Sequence, residues 1–244
     1  MGPDDAIIAP FKGKNSPNPG LMTVMVGADK DLFDVCRTME IDMDSSCRLF
    51  TSRLYLSAGN SPPVSVAGPM IGAPYAVMVM ETLIAWGVKE ILYFGWCGAI
   101  SPDVRIGDII VPTSAVIDEG TSRHYMERDG LTAHPSPSLV KKTEETLRIR
   151  GLSFHSGAIW TTDAIFRETR DKVRRRRHDG ALAVEMEASA IFTVAKFRRI
   201  DAGALLVVSD EVSESKWIPG FSNESFKASR KAICRVIDSI CRKR

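Results

Sequence analysis

Two kinds of apolar pattern alternate along this chain. Short continuous apolar runs read as buried strands, and longer stretches with apolar positions every three to four residues read as helices. Leu21 to Gly27 predicts a strand ending in glycine and Asp31 to Glu40 a short helix, followed by strands at Arg53 to Ser57 and Val64 to Ala67 around an Ala-Gly-Asn-Ser-Pro-Pro turn. After the low-bulk loop Gly68-Pro69-Met70-Ile71-Gly72, apolar residues at Ala76, Val79, Met80, Leu83 and Ile84 predict a helix over Ala73 to Gly87. The buried strand Ile91 to Phe94 runs into Gly95-Trp96-Cys97-Gly98-Ala99. Its glycines either admit close approach of a ligand or form a tight strand-to-helix turn. Further strands are expected at Asp108 to Pro112, Ser114 to Asp118, His155 to Trp160 and Ala204 to Val208, with helices at Ser138 to Arg150, from Glu185 onward, and at Glu224 to Arg242.

No repeat, linker or composition break divides this series, so the expectation is a single α/β domain whose mostly parallel central sheet is covered by helices. Residues 1–20, rich in Pro, Gly, Asn and Lys, read as an arm ordered only by packing on something else.

Composition narrows the function. The chain has 244 residues, 44% of them apolar, and a net charge of +2, which gives no strong case for nucleic acid. The run Arg174-Arg175-Arg176-Arg177-His178 lies in a charged segment, Arg167 to Asp179, that reads as a solvated helix, with anion binding as the lesser alternative. Five cysteines, an odd number without a Cys-x-x-Cys pair, and no histidine at metal-ligand spacing argue against disulfides and zinc. The N-terminus carries acids, and the longest apolar run, near Tyr75 to Val88, is interrupted by Glu81. The expectation is a soluble, reduced, cytoplasmic protein with no membrane partner.

The most informative residues are carboxylates. Val184-Glu185-Met186-Glu187-Ala188 puts two at a helix start, and the apolar strand Ala204 to Val208 ends in Ser209-Asp210, where α/β proteins collect polar ligands. Each also has a structural reading, as a group that complements the helix dipole or caps the next helix.

The Val-Glu-Met-Glu-Ala segment followed by the Ser-Asp strand end resembles the superfamily of purine nucleoside phosphorylase, uridine phosphorylase and methylthioadenosine nucleosidase. The glycine series from Gly68 to Ile100, Arg105-Ile106-Gly107-Asp108-Ile109 and the Thr161-Thr162-Asp163 turn occur in that family's order, so the resemblance covers most of the chain from Leu21 to the last helix. It implies a three-layer αβα phosphorylase-like fold over 21–244 and cleavage of the bond between ribose C1′ and a nucleobase, through a transition state of oxocarbenium character.

The resemblance places ribose on Glu187, with Met186 packing against the sugar. A carboxylate suits two vicinal hydroxyls, each donating to one oxygen. Glu185 ranks second, because residues two apart on a helix do not share a face. Asp210 resembles the proton donor to purine N7. That role requires burial or a substrate hydrogen bond to lift an aspartate above its usual value of about 3.9. The arginine that assists this acid in purine enzymes is absent; Asn223 stands near its place and Lys216 is the nearest cation. Base contacts are expected from Cys97, Gly98, Val184 and Ile165, and from Phe166 unless it is ordinary core.

The nucleophile is less legible. Phosphorylases carry Gly-Asp-Pro-x-Arg after the first strand and an arginine before the central glycine turn, giving phosphate two guanidinium forks. Here the first place reads Gly27-Ala28-Asp29-Lys30-Asp31 and the second Tyr93-Phe94-Gly95-Trp96-Cys97-Gly98. Lys30, the backbone around Gly27, Gly95 and Trp96, and an Arg48 lent across a subunit interface remain as phosphate ligands. The nucleosidase branch carries Gly-Ala-x-x-Glu instead, which sets Asp31 as the base for water; the bland alternative makes Asp31 the N-cap of the following helix.

The sequence therefore favours a phosphorylase acting on a purine nucleoside or uridine. It needs no cofactor beyond phosphate as co-substrate and is expected as a homodimer or a hexamer of three dimers. A hydrolytic nucleosidase and a nucleoside-binding protein with little turnover are the alternatives.

Overall fold

The computed structural model describes residues 6–44, 46–57, 63–126, 130–213 and 216–242. Among these residues eleven strands and six α-helices are laid out in chain order. They are β1 (Met22–Val26), α1 (Asp29–Thr38), β2 (Ser46–Leu49), β3 (Ser52–Leu56), β4 (Val64–Gly68), α2 (Ala73–Ala85), β5 (Glu90–Ala99), β6 (Ile109–Asp118), β7 (Thr132–Ala133) and α3 (Pro137–Ile149). Then follow β8 (His155–Thr162), α4 (Arg170–His178), β9 (Ala183–Glu185), α5 (Ala188–Arg198), β10 (Asp201–Val212), β11 (Trp217–Pro219) and α6 (Glu224–Arg242).

The strands form one mixed sheet in the order β11-β10-β6-β8-β9-β5-β1-β4-β3-β2, with a further pairing of β10 to β5 that closes β5, β10, β6, β8 and β9 into a ring. The long pairings β1–β5, β5–β10 and β6–β8 are parallel, whereas β9 runs antiparallel to β5 and β11 to β10.

Continuous apolar strands arise because both faces of the sheet are covered. In β1, Met25 packs on one side while Val24 and Val26 pack on the other, and in β5 Ile91 and Tyr93 separate in the same way from Leu92 and Phe94. One face buries against α2 and α5, through residues such as Met80, Leu83 and Ile191. The opposite face meets α1 and α6 through Leu32, Val35, Phe226 and Ile237. The structure thus has the expected three layers.

Three expectations need correction. The glycine segment 95–98 is not a turn: β5 runs through it to Ala99, and neither Gly95 nor Gly98 has a positive φ. Ser209-Asp210 does not end its strand. β10 continues to Val212, with a register shift between Val208 and Asp210 that marks a bulge. The pieces 108–112 and 114–118 are one strand, β6, irregular between Pro112 and Ser114, where the missing proline N–H interrupts the ladder.

Helix α4 is solvated as expected, with Val173 its one buried residue. Within the arm, Trp86 Nε1 donates to the Phe11 carbonyl at 3.1 Å and Lys12 Nζ donates to the Trp86 carbonyl at 3.1 Å, so this part of the arm lies on the end of α2. Among the described residues no helix is long and apolar enough to cross a membrane.

Candidate active site

Glu187 occupies the N-cap position of α5, yet its side chain caps nothing there. It is 5% exposed and turns to the start of α2, where Oε1 accepts from the Gly72 amide at 2.5 Å and Oε2 from the Tyr93 hydroxyl at 2.8 Å. Gly72 precedes α2 with φ 82°, a conformation that glycine adopts without strain. A carboxylate at a helix N-terminus gains from the helix dipole. Two donors leave lone pairs on both oxygens, so the group retains acceptor capacity for a diol.

Glu185 ends β9 and is equally buried, but its oxygens are occupied. Oε2 accepts from the Glu187 and Ala188 amides at 2.7 Å each, and Oε1 accepts from the Thr161 hydroxyl, which itself accepts from the Ser189 amide at 3.0 Å. Glu185 is the cap of α5. The ranking of Glu187 above Glu185 thus has a different physical basis from the helical-face argument, since neither residue lies within the helix. Burial raises the pKa of both carboxyls, and the neighbouring Glu187 charge raises that of Glu185 further.

Asp210 sits at the bulge of β10, where the local twist re-aims the side chain. Oδ1 accepts from Ser209 Oγ at 2.6 Å and Oδ2 from Trp217 Nε1 at 2.8 Å. The indole takes the place expected of a cation: Asn223 instead accepts from Ser225 beside the start of α6, and the Lys216 amide donates to Ser213 Oγ. Gly98 lies opposite Asp210 in the β5–β10 register, and a Cβ there would stand 3.0 Å from both Asp210 Oδ2 and Val212 Cγ2. The missing side chain, not backbone freedom, is what this glycine contributes.

Cys97 joins the two halves of the site. Its buried thiol is held neutral by desolvation first, then by the charges of Asp210 and Glu185. Val184 packs in a small cluster with Ile100, Trp160 and Val173, and Met186 is half-buried beside it. Ile165 and Phe166 stand on a 3-10 turn, Ile165–Arg167, just after β8. Phe166 is 93% exposed, which overturns its reading as core.

The Gly27 loop differs from expectation. The Gly27 amide donates to the Phe94 carbonyl at 2.9 Å, extending the β1–β5 ladder, so it does not point to open space. The Tyr93 hydroxyl lies between the glycines: a Cβ would stand 3.0 Å from it at Gly27 and 2.5 Å from it at Gly95. Lys30 is exposed, and Arg48 is exposed with Nε donating to the Phe50 carbonyl at 3.0 Å.

Asp31 is not an N-cap, since that position belongs to Ala28. It is 1% exposed, with Oδ1 2.5 Å from Arg230 Nη2 and Oδ2 accepting from Trp96 Nε1 at 2.5 Å. Arg230, on α6 and 4% exposed, stacks over the Trp96 and Phe226 rings at 5.3 and 5.5 Å. Burial raises the Asp31 pKa, outweighing Arg230 and Trp96, which lower it.

Tyr93, Gly72, Trp217 and Arg230 were missed in the sequence. Tyr93 left a trace, as a hydroxyl inside an otherwise apolar strand. Gly72 and Arg230 come from segments remote from the residues they serve, and Trp217 reaches Asp210 across the antiparallel pairing of β11 with β10. Among the described residues no cluster of three or more His, Cys, Asp or Glu side chains is placed to hold a metal.

A ringed α/β sheet carries a buried, doubly hydrogen-bonded glutamate bound to Tyr93 of β5 and an aspartate opposite Gly98 of the same strand. The phosphorylase superfamily profile matches residues 24–242, and the chain belongs to that family. Purine nucleoside phosphorylases of the DeoD type from Bacillus cytotoxicus and Bacillus cereus are each 33% identical over 150 residues. Those matches cover 61% of this chain and 64% of the relative, so the chain spans less than two thirds of the length of these relatives. Among solved structures, uridine phosphorylase from Vibrio fischeri ES114 superposes with a TM-score of 0.79 at 19% identity, covering 93% of this chain and 98% of that one. A futalosine hydrolase mutant of Helicobacter pylori strain 26695 superposes with a TM-score of 0.75 at 17% identity, covering 90% and 97%. These likenesses show the phosphorylase-like fold.

Replacing Gly98 with alanine is expected to displace Asp210, because the new methyl would crowd both Oδ2 and Val212. With Asp210 as the acid that the family resemblance leads one to expect, a shift of a few tenths of an ångström there should lower kcat/KM by roughly ten-fold, and overpacking costs about 1–3 kcal/mol of stability. Kinetics and thermal unfolding of Gly98→Ala check both; wild-type kinetics would remove Gly98 from the site.

Proposed function

We propose that the protein cleaves the N-ribosidic bond of a nucleoside, with Glu187 holding the ribose diol, Asp210 meeting the departing base and water as the acceptor. The observation that carries the reading is the pair of Glu187 and Asp210 set at either end of the Gly95–Gly98 stretch of β5, each carboxylate fixed by two donors. Fixing sugar and leaving group in one geometry removes the orientational entropy of the reaction, and a hydrogen bond or proton at the base stabilises the charge that develops on it.

Water is favoured over phosphate by the charge around the Gly27 loop. Where phosphorylases carry an arginine this chain carries Asp31, which among the described residues is ion-paired with Arg230, so the pair presents no net positive charge to a dianion. The Tyr93 hydroxyl fills space between the glycines, and the Gly27 amide is engaged in the sheet. Asp31 is the base in this reading: burial raises its pKa, which makes the carboxylate a better proton acceptor for the attacking water. Phosphorolysis is the second reading. It is favoured by the activities named for the Bacillus relatives and the Vibrio fischeri structure, and it assigns phosphate to Lys30, Trp96 and an Arg48 lent by a second subunit of a homodimer.

Base release from inosine, adenosine and uridine, with and without phosphate, separates the two. Hydrolysis gives free ribose at a rate independent of phosphate and lost in Asp31→Asn. Ribose 1-phosphate as product, with a phosphate KM raised in Lys30→Ala, would reverse the choice. Tight nucleoside binding without release of base would show a binding protein instead.

A further inference from the structure

Three elements far apart in the chain close a triangle of contacts around the Asp31 carboxylate. α6 brings Arg230, with Nη2 2.5 Å from Oδ1, and β5 brings Trp96, whose Nε1 donates to Oδ2 at 2.5 Å. The two partners also meet each other, since the Arg230 guanidinium lies over the Trp96 ring at 5.3 Å. Phe226 completes the wall, 5.5 Å from the same guanidinium and edge to face with Trp96 at 5.1 Å. Both charges are buried. Burying an arginine is costly unless a partner offsets its desolvation, and here that partner is Asp31. Among the described residues Arg230 Nε makes no hydrogen bond, so the guanidinium serves Asp31 and the rings, not a network of its own.

Resting on the hydrolytic reading above, we infer that Arg230 is a positioning residue for the reaction: its buried guanidinium holds the Asp31 carboxylate ionised and in one orientation against the Trp96 edge, ready to take a proton from the attacking water. In that step the water oxygen bonds to C1′ as the C1′–N bond breaks. The electron pair of that bond leaves with the base, and the water proton goes to Asp31. Arg230 neither gives nor takes a proton. Each Asp31 oxygen has one partner and keeps a lone pair for the water. Burial drives this carboxyl to hold its proton, and the like charge of Asp34, one turn along α1, adds to that; Arg230 first, then Trp96, act against both. Cys234, one turn beyond Arg230 on α6, is a thiol pushed up to about 12 by burial and brings no charge of its own.

A base must be ionised to act, so base release falls as pH is lowered through the titration of Asp31. Arg230→Gln removes the cation, the carboxyl holds its proton more tightly, and the falling limb moves to higher pH. On the acid side of that limb kcat for inosine or adenosine should drop roughly ten-fold or more, with KM little changed because Arg230 acts through Asp31. Arg230→Lys, which keeps the charge without the planar fork, should return the limb toward its wild-type position. A purely structural ion pair gives a different result: both variants unfold at lower temperature and the limb stays in place.

If Arg230→Gln does not fold, nuclear magnetic resonance of the wild type with isotope-labelled arginine decides. The guanidinium N–H signals of Arg230, assigned by their absence in Arg230→Lys, should lose protection from exchange over the pH range in which base release falls; loss over a different range would overturn the inference. An unmoved limb in folded Arg230→Gln, with activity still lost in Asp31→Asn, would also overturn it while leaving hydrolysis by Asp31 intact. Base release that needs phosphate and survives in Asp31→Asn, or no base release by the wild type, would reject the hydrolytic reading and this inference with it.

Discussion

Asp210→Asn is expected to lower kcat for purine nucleosides by about 10²–10⁴-fold, the range over which a positioned acid accelerates such a reaction. The fold should survive. Asparagine can turn its oxygen to Trp217 Nε1 and its amide to Ser209 Oγ, so both existing contacts are kept in kind while the charge and the proton-relay capacity are lost. Trp217 and Ser209 orient the side chain but carry no net charge, so neither replaces it. A nitrophenyl riboside should retain most of its turnover, because its leaving group departs without help. Equal losses on inosine and the nitrophenyl riboside, measured in parallel with thermal unfolding, would reduce Asp210 to a structural member of the β10 bulge.

The second large effect is expected at Glu187. In the proposed role of Glu187 as the ribose ligand, Glu187→Gln removes the charge behind its hydrogen bonds to the ribose hydroxyls. A hydrogen bond to a charged group contributes about 1.5–3 kcal/mol, so kcat/KM should fall between about 10- and 10³-fold. Glutamine can still accept from the Gly72 amide with its oxygen and donate to the Tyr93 oxygen with its amide, so the junction of α2 and α5 stays paired. Glu185→Gln should act mainly on stability. That side chain accepts from the Glu187 and Ala188 amides at the start of α5, and loss of a helix cap typically costs about 1 kcal/mol. Larger kinetic damage from Glu185→Gln than from Glu187→Gln would exchange their roles.

The same pair of glutamates marks how far a sequence can be read. That acids precede α5 was visible in Val-Glu-Met-Glu, but which acid caps the helix and which turns away from it depends on donors 115 and 94 residues away from Glu187, at Gly72 and Tyr93. Asp31 is a sharper instance. Its place two residues into α1 resembles a capping position by spacing, whereas its partners Arg230 and Trp96 arrive from α6 and β5. Neither partner is suggested by any local pattern. The glycines of β5 were legible as special positions, yet the reason is steric room for Asp210 and for the Tyr93 ring, not a turn.

By itself the sequence determined the layered α/β architecture, the order of the longer strands and helices, though not the short strands β2, β7, β9 and β11, and the carboxylates on which the chemistry is expected to turn. Strand and helix follow from apolar periodicity, which is a local property that burial on one or two faces imposes. Only the tertiary structure decided how those carboxylates are partnered. Closure of β5, β10, β6, β8 and β9 into a ring brings Gly98 opposite Asp210, and the packing of α2 against α5 brings Gly72 to Glu187. It also decided that the Gly27 loop leads into a neutralised Asp31–Arg230 pair. Such contacts are set by long-range register and layer packing, and charge and hydrogen-bond complementarity between distant segments leaves no periodic trace in the chain that makes them.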